Sequence, residues 1–99
     1  MIVGWLQRRK LFRERLAVAR QRLRDHPDDP LLHDPVEDDP ALKPVVAEAE
    51  SLADAELSGR SRGRGFCHVF WRTKRRILRD RFGVTWFSPS EMNWGVTFD

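Results

Sequence analysis

Apolar residues recur at helical spacing in three stretches of this chain, and each stretch predicts a helix. In the first, Ile2, Trp5, Phe12, Leu16, Ala19 and Leu23 stand three, four or seven apart and share one face of a helix from Ile2 to about Asp25. Arg9 interrupts that stripe, and the other positions are almost all Arg, Lys or Gln. Asp25-His26-Pro27 ends it, because the residue before a proline is pushed out of helical geometry. In the second, Leu42, Val45, Val46, Ala49, Leu52, Ala53 and Leu57 form the stripe, with Glu48, Glu50, Asp54 and Glu56 on the other side. This helix starts near Asp39-Pro40, with Asp39 as cap, or at Pro44 with residues 40–43 as a turn; Ser58-Gly59 stops it. The third runs from Phe66 to Phe82. Gly83 is placed to take the left-handed conformation after it, letting Val84 contact Leu78.

The tail follows another rhythm. Gly83-Val84-Thr85-Trp86-Phe87 and Gly95-Val96-Thr97-Phe98 form a near-repeat with strand-like alternation. Between them, Ser88-Pro89-Ser90-Glu91 reads as a capping box that opens one turn of helix. Two strands of this length are marginal alone. The tail is therefore expected to wrap the helices, inserting Trp86, Trp94 and Phe98 between them. The fold class that follows is all-α: a small three-helix domain, with a long hairpin of the first two helices, a basic third helix packed on it, and an aromatic-rich C-terminal tail. The chain is read as one domain, residues 1–99. Residues 26–40 form an acidic, proline-rich linker, its loosest part, anchored by Leu31, Leu32 and Val36. Residues 59–65 form a basic Gly/Arg loop.

Charge is sorted along the sequence, and this changes the picture more than its total of +3. Residues 1–24 are strongly basic, residues 25–57 carry eleven of the fifteen carboxylates, and residues 58–99 are basic again. Either the acidic middle neutralises the basic helices, or a basic face remains for an outside polyanion. Most of the basic residues are Arg, which suits bidentate contact with phosphate or carboxylate. A GC-rich coding sequence would produce the same bias.

Other classes are constrained by what the sequence holds. Ninety-nine residues leave room for one small core, which excludes a two-lobed enzyme. The one cysteine, Cys67, cannot form an internal disulfide, and no apolar run approaches the ~20 residues of a membrane-spanning helix. Met1-Ile-Val-Gly-Trp-Leu lacks the form of a signal peptide, so a cytoplasmic location is the default expectation.

The candidate anion or nucleic-acid site is the stripe His68, Arg72, Arg75, Arg76 and Arg79 on the third helix, extended by Arg60, Arg62 and Arg64 in the loop before it. The plainer reading is a solvated helix face balanced by the acidic middle. No helix-turn-helix, zinc-finger or RNA-recognition pattern accompanies the stripe. Trp5, Phe12, Leu16, Trp86 and Trp94 are the candidate partner interface, with core as the competing role for each. The first helix, basic and amphipathic, could also lie on an anionic membrane, a role that ranks below a core seam. Cys67 and His68, adjacent on a helix, point about a hundred degrees apart and make no nucleophile and base pair. His26 and His33 lie among aspartates, but their spacing matches no metal scheme. No catalytic residue, metal or cofactor is assigned.

Two functions follow. The first is a non-catalytic protein-interaction or structural module, with a protein partner or a homodimer through the heptad-like stripe of helix one. The second is a nucleic-acid-binding accessory protein, engaging DNA or RNA through the basic face of the third helix.

Overall fold

The structure, a computed structural model, describes residues 2–28 and 31–98, with the side chains of Ile2 and Val3 outside that description. Four α-helices follow one another: α1 (Ile2–Asp25), α2 (Lys43–Glu56), α3 (Phe66–Phe82) and the single turn α4 (Pro89–Met92), with a short 3-10 turn over Pro35–Asp38 between the first two. Among the described residues there is no strand. The all-helical expectation is met, and the ends of α1 and α3 fall where the sequence places them.

Local chemistry explains these ends. After α3, Gly83 adopts a left-handed φ of 66°, its N–H donates to the Arg79 carbonyl, and the Val84 N–H donates to the Leu78 carbonyl at 2.9 Å. This reverses the chain and turns Val84 back onto the core. A Cβ at residue 83 would meet nothing within 4 Å, so Gly83→Ala tests the backbone conformation alone. We expect it to cost about 1 kcal/mol, read as a fall in the midpoint of chemical unfolding. α2 begins at Lys43 with Pro44 in its first turn, the later of the two starts the sequence allows. Asp39 caps only the turn before it, accepting from the Ala41 N–H at 3.0 Å.

Two clusters make up the core, and the tail lies between them. α2 and α3 pack along their length, enclosing Ala49, Ala53, Ile77, Leu78 and Trp86. A second cluster joins Ala19, Phe12 and Leu16 of α1 to Phe87, Met92 and Leu32. Successive residues of an extended chain point to opposite sides. Trp86 thus enters the α2/α3 cluster while Phe87 enters the α1 cluster, where Phe12 meets it edge-on at 5.0 Å. The stretch after Gly83 is a central layer.

This arrangement differs from the expected hairpin of the first two helices. α2 packs chiefly against α3, while Phe12, Leu16 and Ala19 of α1 pack against the tail and Leu32. The tail offers α1 two large aromatic or thioether side chains, Phe87 and Met92, against the small Ala49 and Ala53 that α2 turns to α3. Small residues on α2 permit close approach of α3 instead. Phe12 and Leu16, candidates for a dimer seam, are half-buried against this cluster.

In the acidic segment, Leu32 and Val36 pack against the core clusters. Its described part is knitted into the centre by Asp34, which is 0 % exposed. Asp34 caps the 3-10 turn through the Val36 N–H at 3.0 Å, and accepts from the Phe87 N–H and from Arg15 at 2.8 Å each. Arg15 also donates to the Thr85 carbonyl. One carboxylate therefore ties α1, the acidic segment and the tail. Nearby, the Asn93 side chain clips the backbone of Leu32, accepting from its N–H at 2.8 Å and donating to its carbonyl at 2.7 Å. Asp29 and Pro30 of the same segment lie outside the described residues.

Candidate functional site

The basic stripe of α3 is divided by the structure. Arg76, at its edge, turns to α2 and pairs with Glu56. Arg72, Arg75 and Arg79 remain together on the other side, spaced three and four apart over two turns. His68 is half-buried, its Nε2 3.1 Å from the Phe98 carbonyl, in an aromatic group with Trp71 and Phe98. Of the loop residues, Arg62 pairs with Asp54 at 3.3 Å and stacks over Phe66, which draws it toward α2. Arg60 and Arg64 are exposed and line none of the depressions described below.

What the sequence does not reveal is that the first half of α1 joins this surface. Arg8, on α1, and Arg75, on α3, both reach Glu91 of the tail, each at 3.3 Å. Glu91 is held by its cap: the Ser88 N–H donates to it at 3.0 Å, and the Ser88 hydroxyl in turn accepts from the Glu91 N–H. Around this point three adjoining depressions cross the surface. One is walled by Trp5, Arg8, Arg9, Phe12, Arg13 and Phe87. The next holds Arg8, Arg75, Arg79, Thr85, Trp86 and Glu91 in a cleft of about 410 Å³. The last holds His68, Trp71, Arg72, Arg75, Ser88, Ser90 and Glu91. The middle one shares Arg8 with the first and Arg75 and Glu91 with the last, so the three adjoin as one groove. Six arginines line it, and Glu91 is its only acidic lining residue among those described.

The acidic middle of the chain, residues 25–57, accounts for this imbalance. Its carboxylates meet basic groups elsewhere: Asp34 with Arg15, Asp38 with Arg22 and His33, Asp54 with Arg62, Glu56 with Arg76, and both Glu37 and Glu50 with Lys74. None of those partners lines the groove. Arg79 pairs with its neighbour Asp80 at 2.8 Å; the hydrogen bond from the guanidinium holds the Asp80 carboxyl below the usual carboxylate range. None of these six carboxylates of the acidic middle is paired with a groove arginine.

The aromatic candidates separate by burial. Trp86 is 1 % exposed, so it belongs to the core and cannot meet a partner as expected. Trp94, expected to insert between helices, is instead 95 % exposed, following the buried Asn93 and preceding Gly95, whose φ is 92°. Trp5 is 57 % exposed at one end of the groove, with the Arg9 guanidinium over its ring at 5.0 Å. Phe87, which sequence reasoning passed over, is buried where Arg8 and Arg15 both approach its ring.

His26 and His33 line a separate hollow with Arg22, Asp38 and the leucines Leu23, Leu31 and Leu32. Among the described residues no three His, Cys, Asp or Glu side chains gather as metal ligands, and no helix is long and apolar enough to cross a membrane. No protein-family model, curated protein or solved structure matches this chain.

Proposed function

We propose that this protein is a small non-catalytic binding module that takes a nucleic acid along the groove between α1 and α3. The observation that carries the reading is the six-arginine groove with Glu91 as its one carboxylate, left basic because the acidic middle is paired elsewhere. Guanidiniums spaced along a groove suit a phosphate backbone, whose binding releases condensed counterions. Trp5 at one end and Trp71 at the other add aromatic rings to the lining, which favours an unpaired strand over a duplex.

The test is a salt titration of binding to mixed-sequence single strands and duplexes. Affinity should fall linearly in log–log form as salt rises, and Arg72→Gln with Arg79→Gln should flatten the slope by about 2. Arg22→Gln and Arg76→Gln remove arginines already matched by the acidic middle, and should leave the slope unchanged. No binding at low salt would remove the reading.

One observation favours a second reading, a protein-interaction module: the outward Trp94 beside the exposed Val96. A fully exposed tryptophan on an ordered turn is the kind of anchor that fills a partner's pocket. Here the partner is a protein, the site is the turn at 94–96, and the basic groove is solvated surface. Retention of a protein partner that is lost with Trp94→Ala and unaffected by the groove arginines would favour it.

A further inference from the structure

We infer that the cleft between Arg8, Arg75 and Arg79 is a phosphate site, the point at which the groove grips a single phosphate group. Three guanidiniums converge there from two helices, with Trp86 and Thr85 as the wall behind them. Its volume, about 410 Å³, falls in the ~300–1,000 Å³ range of pockets that hold small ligands.

The donors in this cleft are under-used. A guanidinium carries five N–H groups. Arg8 and Arg75 each meet Glu91 through one Nη at 3.3 Å, longer than the ~2.7–2.9 Å of a strong charge-assisted bond. Glu91 cannot follow them outward, because its carboxylate is tied to the Ser88 cap. It therefore acts as a positioning residue, holding guanidiniums of α1 and α3 face to face while leaving most of their donors for another acceptor. Arg79 shares its Nε with Asp80, which lies outside the cleft lining. Counting both carboxylates, the three arginines keep a surplus of one positive charge, matched to a phosphodiester; without Asp80 the surplus is two, matched to a terminal phosphate.

The wall of the cleft also carries a reporter group. The indole Nε1 of Trp86 is buried and is the one such side-chain polar atom without a hydrogen-bond partner among the described residues. The indole stands in the wall of the arginine-lined cleft while this N–H is itself sealed from solvent, so its resonance reports on the site and the N–H does not donate to the ligand.

The identity of the phosphate as part of a nucleic-acid strand rests on the preceding reading; the site itself does not, and the experiment separates them. Inorganic phosphate is titrated at constant ionic strength, with chloride as control, while the indole N–H resonance of Trp86 is followed by NMR. A saturable shift with phosphate and none with chloride is expected. Arg75→Gln with Arg79→Gln should weaken it at least tenfold. Glu91→Gln keeps a capping box, since glutamine serves at that position, yet removes the competing charge, and should tighten phosphate binding about fivefold. Absence of a saturable shift, or the same affinity in the double variant, would overturn the site. Oligonucleotides with and without a 5′-phosphate then distinguish a strand end from an internal diester. Phosphate binding without strand binding would remove only the nucleic-acid reading, and strand binding without phosphate binding would remove only this cleft.

Discussion

Asp34→Ala is expected to lower stability by about 3–5 kcal/mol, the range seen when one partner of a buried ion pair is removed. The side chain is fully enclosed and accepts from three segments distant in sequence: Arg15 on α1, Val36 in the acidic segment and Phe87 in the tail. Alanine would leave the Arg15 guanidinium, itself only 19 % exposed, without its carboxylate, and two backbone N–H groups without an acceptor. Each orphaned donor costs about 1–3 kcal/mol where water cannot reach it. Against a total of ~5–15 kcal/mol for a domain, that loss takes a large share of the folded state. Chemical unfolding followed by tryptophan fluorescence and circular dichroism measures it. The pairing with Arg15 can be isolated by adding Arg15→Leu in a double-mutant cycle; the two losses should be far from additive, because removing the arginine leaves less for the aspartate to satisfy. A loss under about 1 kcal/mol would mean that Asp34 is not the tie between α1 and the tail.

How much of this was legible in the sequence depends on the range of the interaction. Features set by neighbours along the chain can be read directly: the proline after Asp25-His26, the left-handed Gly83, and the Ser88-Pro89-Ser90-Glu91 box, whose reciprocal hydrogen bonds are all present. The role of Asp34 has a local signal. Asp34-Pro35-Val36-Glu37 has the same grammar as Ser88 to Glu91, a capping side chain, a proline and an acid three residues on, and it too opens a short turn. Its surroundings of aspartate and proline suggested only a loose linker. Which carboxylate of that segment would be buried was not readable, since that depends on where α1 and the tail deliver Arg15 and the Phe87 N–H.

The groove was unreadable for the same reason. Helical spacing places Arg72, Arg75 and Arg79 on one side of α3, but nothing local says that Arg8 will meet them across Glu91, 83 residues away from Arg8 in sequence. The choice of partners for α1 was equally hidden. Its stripe matches that of α2 in spacing and opposes it in charge, yet packing favours α2 against α3, with the tail layered between that pair and α1. Period-two alternation in residues 84–87 was visible, and its consequence was more general than a strand: two adjacent aromatics, Trp86 and Phe87, each feeding a different core.

The second large effect is expected at Lys74, a charge placed inside the α2/α3 core. Lys74 is 3 % exposed, and its ammonium group lies 2.9 Å from Glu50, 3.2 Å from Glu37 and 4.2 Å from the centre of the Trp86 ring. It thereby joins α2, α3, the 3-10 turn and the tail through one atom. Lys74→Ala removes the cation between two carboxylates that the fold still brings together, and empties the space beside the indole. Glu37 and Glu50 keep partial contact with water, with side-chain exposures of 26 % and 45 %, so they can rehydrate. The loss should therefore fall at or below the lower end of the buried-pair range, about 2–3 kcal/mol. Lys74→Met separates the causes. Methionine refills the space against Trp86 without a charge, so a recovery of most of the loss would assign the effect to packing, and little recovery would assign it to the two uncompensated carboxylates. Glu37→Gln combined with Lys74→Met then relieves the remaining repulsion. If electrostatics dominates, the pair of substitutions should be more stable than Lys74→Met alone. That ordering, measured by unfolding midpoints in one buffer, would establish that Glu37 of the acidic segment contributes to stability through its ion pair with Lys74 on α3.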